Sequence, residues 1–207
     1  MNQRIEEIEE LLESARQGKS EAIGSLFERF RSRLLRVVRF RLDRRLLGRI
    51  DPNDVIQDAY LEAMTRLPEY FLNEKMPFFL WLRFLTLQKL LIVHRHHLGT
   101  KARDAGREIS LWGRPLPGAS SVDLAAQLLG RFTSPSQAAM KAEIRLCLEE
   151  AMNSMESIDR EVLALRHLEQ LNNVETASVL GIKPTTASNR YVRAIKRLKS
   201  ILDLKME

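Results

Sequence analysis

Hydrogen-bonding and positively charged side chains are concentrated in one stretch near the end of the chain, LGIKPTTASNRYVRAIKRLK, residues 180–199. The stretch contains six basic residues and no acidic one. Short polar side chains come first and arginines follow: Thr185, Thr186, Ser188 and Asn189, then Arg190, Arg193 and Arg197. Short polar side chains can read base edges in a groove, and arginines can neutralise phosphates. This order predicts a nucleic-acid interface.

Two predicted helices around a glycine would position these side chains. Asn172 can cap the first helix, and Glu175 lies three residues further on, as a capping box requires. Gly181 permits the left-handed backbone that ends a helix, and Pro184 suits the start of the next one. A short helix, a glycine turn and a longer helix together predict a helix-turn-helix.

Apolar spacing predicts which faces of these two helices are buried. The first helix would bury Val174, Ala177 and Leu180, and the second would bury Ala187, Tyr191, Ile195 and Leu198. In a helix-turn-helix the second helix enters the major groove, and its N-terminal residues reach base edges. The pattern leaves one alternative open, which is an ordinary antiparallel helix pair with a solvated basic face.

The first half of the chain shows the three-to-four spacing of apolar residues that is typical of helices. Residues 1–13 are predicted to form a short acidic helix, and residues 20–48 a long arginine-rich helical stretch. Asp51 can cap a further helix, because Pro52 suits its first position.

Two prolines, Pro68 and Pro77, are predicted to bracket a loop. The segment after them, FFLWLRFLTLQKLLIVHRHHL, is heavily apolar and is predicted to be a mostly buried helix. The fold class expected for the whole chain is therefore all-α.

The composition changes between Gly99 and Pro135, where glycine, proline and serine become frequent. We interpret this segment as a flexible linker with one short helix near residues 122–129. The predicted organisation is two small helical domains, residues 15–98 and 138–205, joined by the linker 99–137.

Composition limits the function classes. The 207 residues carry a formal net charge of +6, which favours an anionic partner such as nucleic acid. A single cysteine, Cys147, excludes an internal disulfide and fits a reducing compartment. The N-terminus does not resemble a signal peptide, and no apolar run approaches the ~20 residues of a membrane span. We expect a cytoplasmic protein that does not insert into membranes.

Catalytic and metal-binding patterns are not evident in the sequence. His94, His96 and His97 lack the spacing of a structural zinc site. The sequence contains neither a glycine-rich phosphate loop nor a nucleophile elbow. We therefore expect no metal, no cofactor and no enzymatic activity.

Three segments resemble a known family. SIDREVLALRHLEQLNNVETASVLGIKPTTASNRYVRAIKRLK resembles the C-terminal promoter-binding domain of bacterial sigma factors, especially the extracytoplasmic function (ECF) group. DPNDVIQDAYLEAM resembles the helix by which that family docks on RNA polymerase, and FFLWLRFLTLQKLLIVHRHH resembles its promoter-opening helix. The order of the segments and the linker between them match the family.

The resemblance implies a sigma factor with three sets of contacts. Core RNA polymerase would bind Asp54, Gln57 and Asp58. The melted −10 element would contact Lys75, Phe78, Trp81, Arg83, Gln88, Lys89 and Arg95, with the loop 69–77 forming a pocket for an extruded base. The duplex −35 element would contact Arg166, Thr185, Thr186, Ser188, Asn189, Arg190, Arg193 and Arg197. An anti-sigma factor is a further partner that the resemblance implies.

Departures from the family pattern concern the preferred promoter. Gln88 and Ile92 stand where the family has Asn and Asp, and Lys183 replaces a small capping residue. Three rival interpretations stay open: a stand-alone helix-turn-helix regulator that binds an operator as a dimer, an enzyme with a DNA-binding tail, and a sigma-like protein that has lost promoter melting.

Overall fold

The computed structural model of the chain describes residues 2–98 and 150–206, without the side chains of residues 2–5, Arg44 and residues 201–206. Every regular element in these two ranges is helical, which confirms the all-α class. The chain divides into two units, each described by itself. The predicted linker, its short helix near 122–129 and Cys147 lie outside the described residues.

Residues 2–98 of the N-terminal unit form four α-helices and one short turn of 3₁₀-helix. The helices are α1, Asn2–Arg16; α2, Ser20–Arg41; α3, Pro52–Leu72; and α4, Phe78–Leu98, with the 3₁₀ turn at Arg44–Leu46. Helices α2, α3 and α4 all pack against one another, and α1 packs against α2. The predicted start of α3 is confirmed, because the Asp51 carboxylate accepts a hydrogen bond of 2.8 Å from the Asn53 backbone N–H.

Helix α4 is buried on most of its circumference. Ten of its first thirteen residues, from Phe78 to Leu90, are buried. Its apolar side chains meet α2 and α3 on different sides, so one helix supplies the centre of the unit. The prediction of a mostly buried helix is confirmed.

Two predicted boundaries in this unit were wrong. Helix α3 continues through Pro68 to Leu72, which shortens the loop to residues 73–77. Leu67 and Tyr70 lie on the buried face of that last turn, and their burial outweighs the backbone hydrogen bond that proline cannot make. Helix α2 ends at Arg41, rather than near residue 48.

Within residues 157–206 the C-terminal unit has three α-helices, and residues 150–154 before them are also helical. The three helices are α5, Ser157–Leu163, extended by a π-helical turn at Ala164–Leu168; α6, Asn173–Leu180; and α7, Pro184–Met206. Helices α5 and α6 both pack against α7. Fully buried Leu163, Leu165 and Leu168 form the centre of this small core together with Ala187 and Ala194 of α7.

The predicted helix-turn-helix signals are present. Asn172 Oδ1 accepts from the Glu175 backbone N–H at 2.8 Å, and the Glu175 carboxylate accepts from the Asn172 N–H at 2.9 Å, which completes a capping box. Gly181 ends α6 with φ +63°, in the left-handed region, and Pro184 begins α7.

The predicted buried stripes needed correction. Val174 is 62% exposed, whereas Thr176 is buried. Thr176 can lie inside because its hydroxyl donates to the Asn172 carbonyl at 2.7 Å, so no polar group is left unsatisfied. On α7, Ala187 and Leu198 are buried as predicted, and Ala194 is buried in addition, while Tyr191 and Ile195 are half-buried.

Within residues 2–98 and 150–206, the apolar length of the helices stays below what a membrane crossing would require.

Candidate nucleic-acid and polymerase interfaces

The N-terminal two turns of α7 present short polar side chains to solvent. Thr185, Ser188 and Asn189 are exposed, and Thr186 and Arg190 are half-exposed. Thr185 and Asn189 lie opposite Ala187, which is completely buried against the rest of the unit, and the other three lie beside them on the accessible part of the helix surface. The five residues therefore form one outward ridge at the start of the helix, the geometry that base reading in a groove requires.

The ridge has a fixed position because the start of α7 is fastened to α6. The Asn173 side-chain amide donates to the Pro184 carbonyl at 2.8 Å. The Ile182 N–H donates to the Ala177 carbonyl at 3.0 Å across the glycine turn. Both bonds hold the turn and leave the ridge itself accessible.

Arg166 is bound within its own unit. Its guanidinium donates to the Leu171 carbonyl at 2.9 Å and lies 5.3 Å from the centre of the Tyr191 ring. The Tyr191 hydroxyl in turn lies 3.2 Å from Nε2 of His167. The half-buried Arg166 therefore contributes to packing of the π-helical turn on α7, in addition to any contact with phosphate.

Two predicted phosphate contacts, Arg193 and Arg197, are paired with carboxylates. Arg193 donates to Asp159 Oδ1 at 3.0 Å, and Arg197 donates to Glu156 at 2.9 Å. Asp159 has a fully buried side chain, whereas the side chains of Arg193 and Arg197 are 61% and 43% exposed. Nothing in the sequence pattern signals this pairing, because Asp159 is 34 residues from Arg193.

The predicted polymerase-binding residues share one exposed face of α3. Asp54, Gln57 and Asp58 are all exposed, at helical spacings of three and four residues. Val55, Ile56 and Ala59 on the opposite face are buried, which fixes the orientation of the helix. Leu61 extends the exposed face by one turn with a side chain that is 59% exposed.

The loop 73–77 is held from two sides. The Tyr70 hydroxyl donates to the Met76 carbonyl at 3.1 Å, and burial raises the pKa of Tyr70 to about 12. Arg16 at the end of α1 forms an ion pair with Glu74. Lys75 at the tip is exposed. The loop is thus anchored at both sides of a projecting lysine.

The seven residues predicted for the −10 element do not form one surface. Phe78, Trp81 and Arg83 are buried, with exposures of 5%, 8% and 4%. Phe78 and Trp81 pack against the Tyr70 ring at 5.3 and 4.8 Å between centroids. As packed here, these three side chains offer almost no surface to a nucleic acid: Phe78 and Trp81 lie in the aromatic cluster with Tyr70, and Arg83 is buried as well.

The other four members of that set lie nearer the surface. Lys75 and Arg95 are exposed, and Gln88 and Lys89 are half-buried. Lys89 forms an ion pair of 2.9 Å with Glu62 on α3, a partner that the sequence pattern did not reveal. Gln88 accepts a long contact of 3.5 Å from Arg66.

Among the described residues, no three His, Cys, Asp or Glu side chains lie close enough together to hold a metal ion. His94 instead accepts a hydrogen bond of 3.1 Å from the Asp43 backbone N–H. That contact ties α4 to the segment after α2.

Comparison with known proteins agrees with this arrangement. Residues 145–198 match the family model described as sigma-70, region 4. Over 201 residues the chain is 27% identical to the ECF RNA polymerase sigma factor SigD of Mycobacterium tuberculosis and to that of Mycobacterium bovis. The match covers 96% of this chain and 85% of each relative.

The chain is thus similar to ECF sigma factors over nearly its whole length, and its residues 145–198 match sigma-70 region 4. The fold of the chain is also similar to that of CnrH, solved in complex with the cytosolic domain of CnrY. That similarity has a TM-score of 0.52 at 22% sequence identity and covers 94% of this chain and 96% of CnrH. At this identity it supports the fold.

Proposed function

We propose that this chain is an ECF sigma factor, which binds core RNA polymerase, recruits it to promoters and assists opening of the duplex at the start of transcription. The observation that carries the proposal is the exposed polar ridge at the start of α7, within the segment that matches sigma-70 region 4. The proposed domains are residues 15–98 for polymerase and the −10 element, 99–137 as linker, and 138–205 for the −35 element.

The −35 element is proposed to be read as duplex. Thr185, Ser188 and Asn189 are exposed and short enough for the first turns of α7 to approach base edges closely. Arg190 follows on the same ridge and suits a phosphate contact. An Asn189→Ala variant should lose preference for its −35 sequence by about 5- to 100-fold, because one good side-chain to base contact carries that much discrimination.

Core polymerase is proposed to bind the exposed face of α3. Two carboxylates, Asp54 and Asp58, would meet a basic partner surface, and the exposed Leu61 would add apolar contact. The pairing of like charges across an interface is strongly unfavourable, so Asp58→Lys should lower affinity for core polymerase by tenfold or more. Its stability should hardly change, because the side chain is exposed.

Affinity for core polymerase can be measured by fluorescence titration of the labelled full chain. Glu28→Lys on α2 is the matched control, because it makes the same charge change at another exposed carboxylate. Equal loss of affinity in both variants would contradict docking through α3 and would indicate a general charge effect.

Promoter opening is proposed to depend on the loop 73–77 and on the exposed end of α4. Lys75 and Arg95 supply positive charge at these places, with Gln88 and Lys89 at the edge. The buried aromatic cluster of Tyr70, Phe78 and Trp81 would support the loop from beneath. Single-stranded DNA binds basic grooves with accessible stacking surfaces. Beside this loop the half-buried Phe71 ring has the Arg16 guanidinium 5.3 Å from its centre, so only its remaining surface would serve for stacking.

Run-off transcription tests the whole proposal. Purified core polymerase with this chain should initiate at discrete sites on a promoter library, and neither component should do so without the other. Initiation from a pre-melted template but not from the duplex would indicate a sigma-like protein that cannot open promoters. Sequence-specific binding of a dimer without any effect of polymerase would favour the operator-binding regulator.

A proteinaceous inhibitor is proposed as a further partner. The family resemblance implies an anti-sigma factor, and the similar protein CnrH was solved in complex with the cytosolic domain of CnrY. The proposed place of action is the cytoplasm, because that is where bacterial RNA polymerase works. Co-purification of the tagged chain from its host, with and without inducing stress, would test for such a partner.

A further inference from the structure

A buried carboxylate lies beneath the helix that is proposed to read DNA. Asp159 is on α5, and its side chain has no solvent exposure. Removing a carboxylate from water is costly unless opposite charge and hydrogen bonds compensate for the lost hydration. The residues that pair with Asp159 therefore compensate its buried charge and so stabilise the C-terminal unit.

Both charged partners of Asp159 come from α7. Arg193 Nη2 lies 3.0 Å from Oδ1, and Arg197 Nη1 lies 3.5 Å from Oδ2. Oδ2 makes no hydrogen bond in the described residues, so Arg197 is the charge that compensates it. Arg197 is itself held by Glu156 at 2.9 Å. One carboxylate on α5 thus holds two successive turns of α7.

This fixed point lies next to the reading ridge along α7. Asn189 and Arg190 are four and three residues before Arg193, which is about one helical turn. A slip of α7 by one residue would move the ridge by about 1.5 Å and rotate it by about 100°. Base contacts in the major groove do not tolerate such a displacement, so whatever fixes Arg193 also fixes the ridge.

We propose that Asp159 is a positioning residue for promoter recognition, and that Arg193 and Arg197 are committed to Asp159 instead of to DNA phosphates. The inference rests on the proposed function of α7 and changes the role of two arginines within it. Arg190, which belongs to none of the ion pairs of the described residues, then carries the phosphate contact of this part of the helix.

The two roles of an arginine differ in salt dependence. An arginine that neutralises a phosphate adds about 0.9 to the slope of log affinity against log salt concentration, and it does so on any DNA sequence. An arginine that positions the helix leaves that slope unchanged and alters the ratio between specific and non-specific affinity.

The experiment measures binding of the full chain, with core polymerase, to a duplex with its preferred −35 sequence and to one with that sequence scrambled, at several salt concentrations. Arg193→Gln should leave the slope unchanged and reduce the specific to non-specific ratio by about fivefold or more. Arg190→Gln, the matched control one turn earlier, should lower the slope by about 0.9 and keep the ratio. Asp159→Asn should behave like Arg193→Gln.

A double variant serves as the control for loss of folding. Arg193→Gln leaves a buried charge without its main partner and can destabilise the C-terminal unit, so circular dichroism melts accompany every measurement. Asp159→Asn with Arg193→Gln removes both charges, and it should remain folded and still show the reduced ratio.

Two results overturn the inference. The first is a slope for Arg193→Gln that falls as it does for Arg190→Gln while the ratio is kept. The second is an Asp159→Asn variant that discriminates as well as the wild type. If the wild-type chain itself shows no preference between the two duplexes, the proposed function fails, and that result is distinct from either of the others.

Discussion

Helices α4 and α7 have similar lengths and different distributions of burial. Ten residues of α4 between Phe78 and Leu90 are buried, and they point in all directions. On α7 only Ala187, Ala194 and Leu198 are buried among the residues up to 200. A helix with a narrow apolar stripe reveals its solvent face in its sequence, whereas a helix that is apolar on all sides does not.

This difference decides where a functional residue can be recognised. On α7 every short polar residue predicted to read bases is at least half-exposed. On α4 the prediction included Phe78, Trp81 and Arg83, which lie in the core. Aromatic and basic types suit single-stranded DNA, but the same types can fill a core, and α4 uses them for that purpose.

The strongest test of this contrast is a core substitution in α4. Trp81→Ala should lower the free energy of unfolding by about 3–5 kcal/mol, because it removes a ring packed between Tyr70 and Phe78. Urea denaturation followed by circular dichroism measures the change. Leu72→Ala is the matched control, since that side chain is 87% exposed and its loss should stay within about 0.5 kcal/mol.

An unchanged unfolding curve for Trp81→Ala, together with a loss of promoter opening in run-off transcription, would contradict this prediction. Trp81 would then belong to the DNA interface and not to the core. The contrast between α4 and α7 would then be smaller than the structure indicates.

Local signals in the sequence were enough to predict the helix-turn-helix. Asn172, Glu175, Gly181 and Pro184 each act on the backbone within a few residues, so their effects do not depend on the rest of the chain. The same holds for Asp51 at the start of α3. Local chemistry therefore predicted these boundaries, and it failed at Pro68, where distant packing prevailed.

Contacts between distant residues could not be predicted. Asp159 with Arg193, Glu62 with Lys89 and Arg16 with Glu74 join residues that are 27 to 58 positions apart. A surface arginine has the same sequence context whether it meets phosphate or a buried carboxylate. Only the packing of one helix on another decides between them, and this is why the sequence could not show which arginines pair with carboxylates.

A smaller effect is expected at the cap of α6. Asn172→Ala should cost the C-terminal unit about 1 kcal/mol, because the Glu175 backbone N–H loses its acceptor. Asn172→Ser keeps a capping oxygen and should retain most of that stability. Thermal melts of both variants measure the difference. Equal melting temperatures for the two variants would show that the capping box contributes little and that packing alone holds α6.

The smallest expected effect is a pH dependence of the stability of the fold, which arises from His94 on α4. Burial lowers the pKa of His94, whose Nε2 must stay unprotonated to accept from the Asp43 N–H. The unfolded chain then binds the proton more readily, so stability should be constant above about pH 6.5 and fall as the pH drops from there towards the folded-state pKa. The Asp43 carboxylate stays ionised in this window, because hydrogen bonds from Arg45 lower its pKa to about 2.

His94→Gln should reduce the slope of the free energy of unfolding against pH between pH 5 and 6.5, measured by urea titrations. His97→Gln, at an exposed position, should not. Equal slopes in both variants would mean that another group is responsible and that α4 is held against the segment after α2 without regard to the charge of His94.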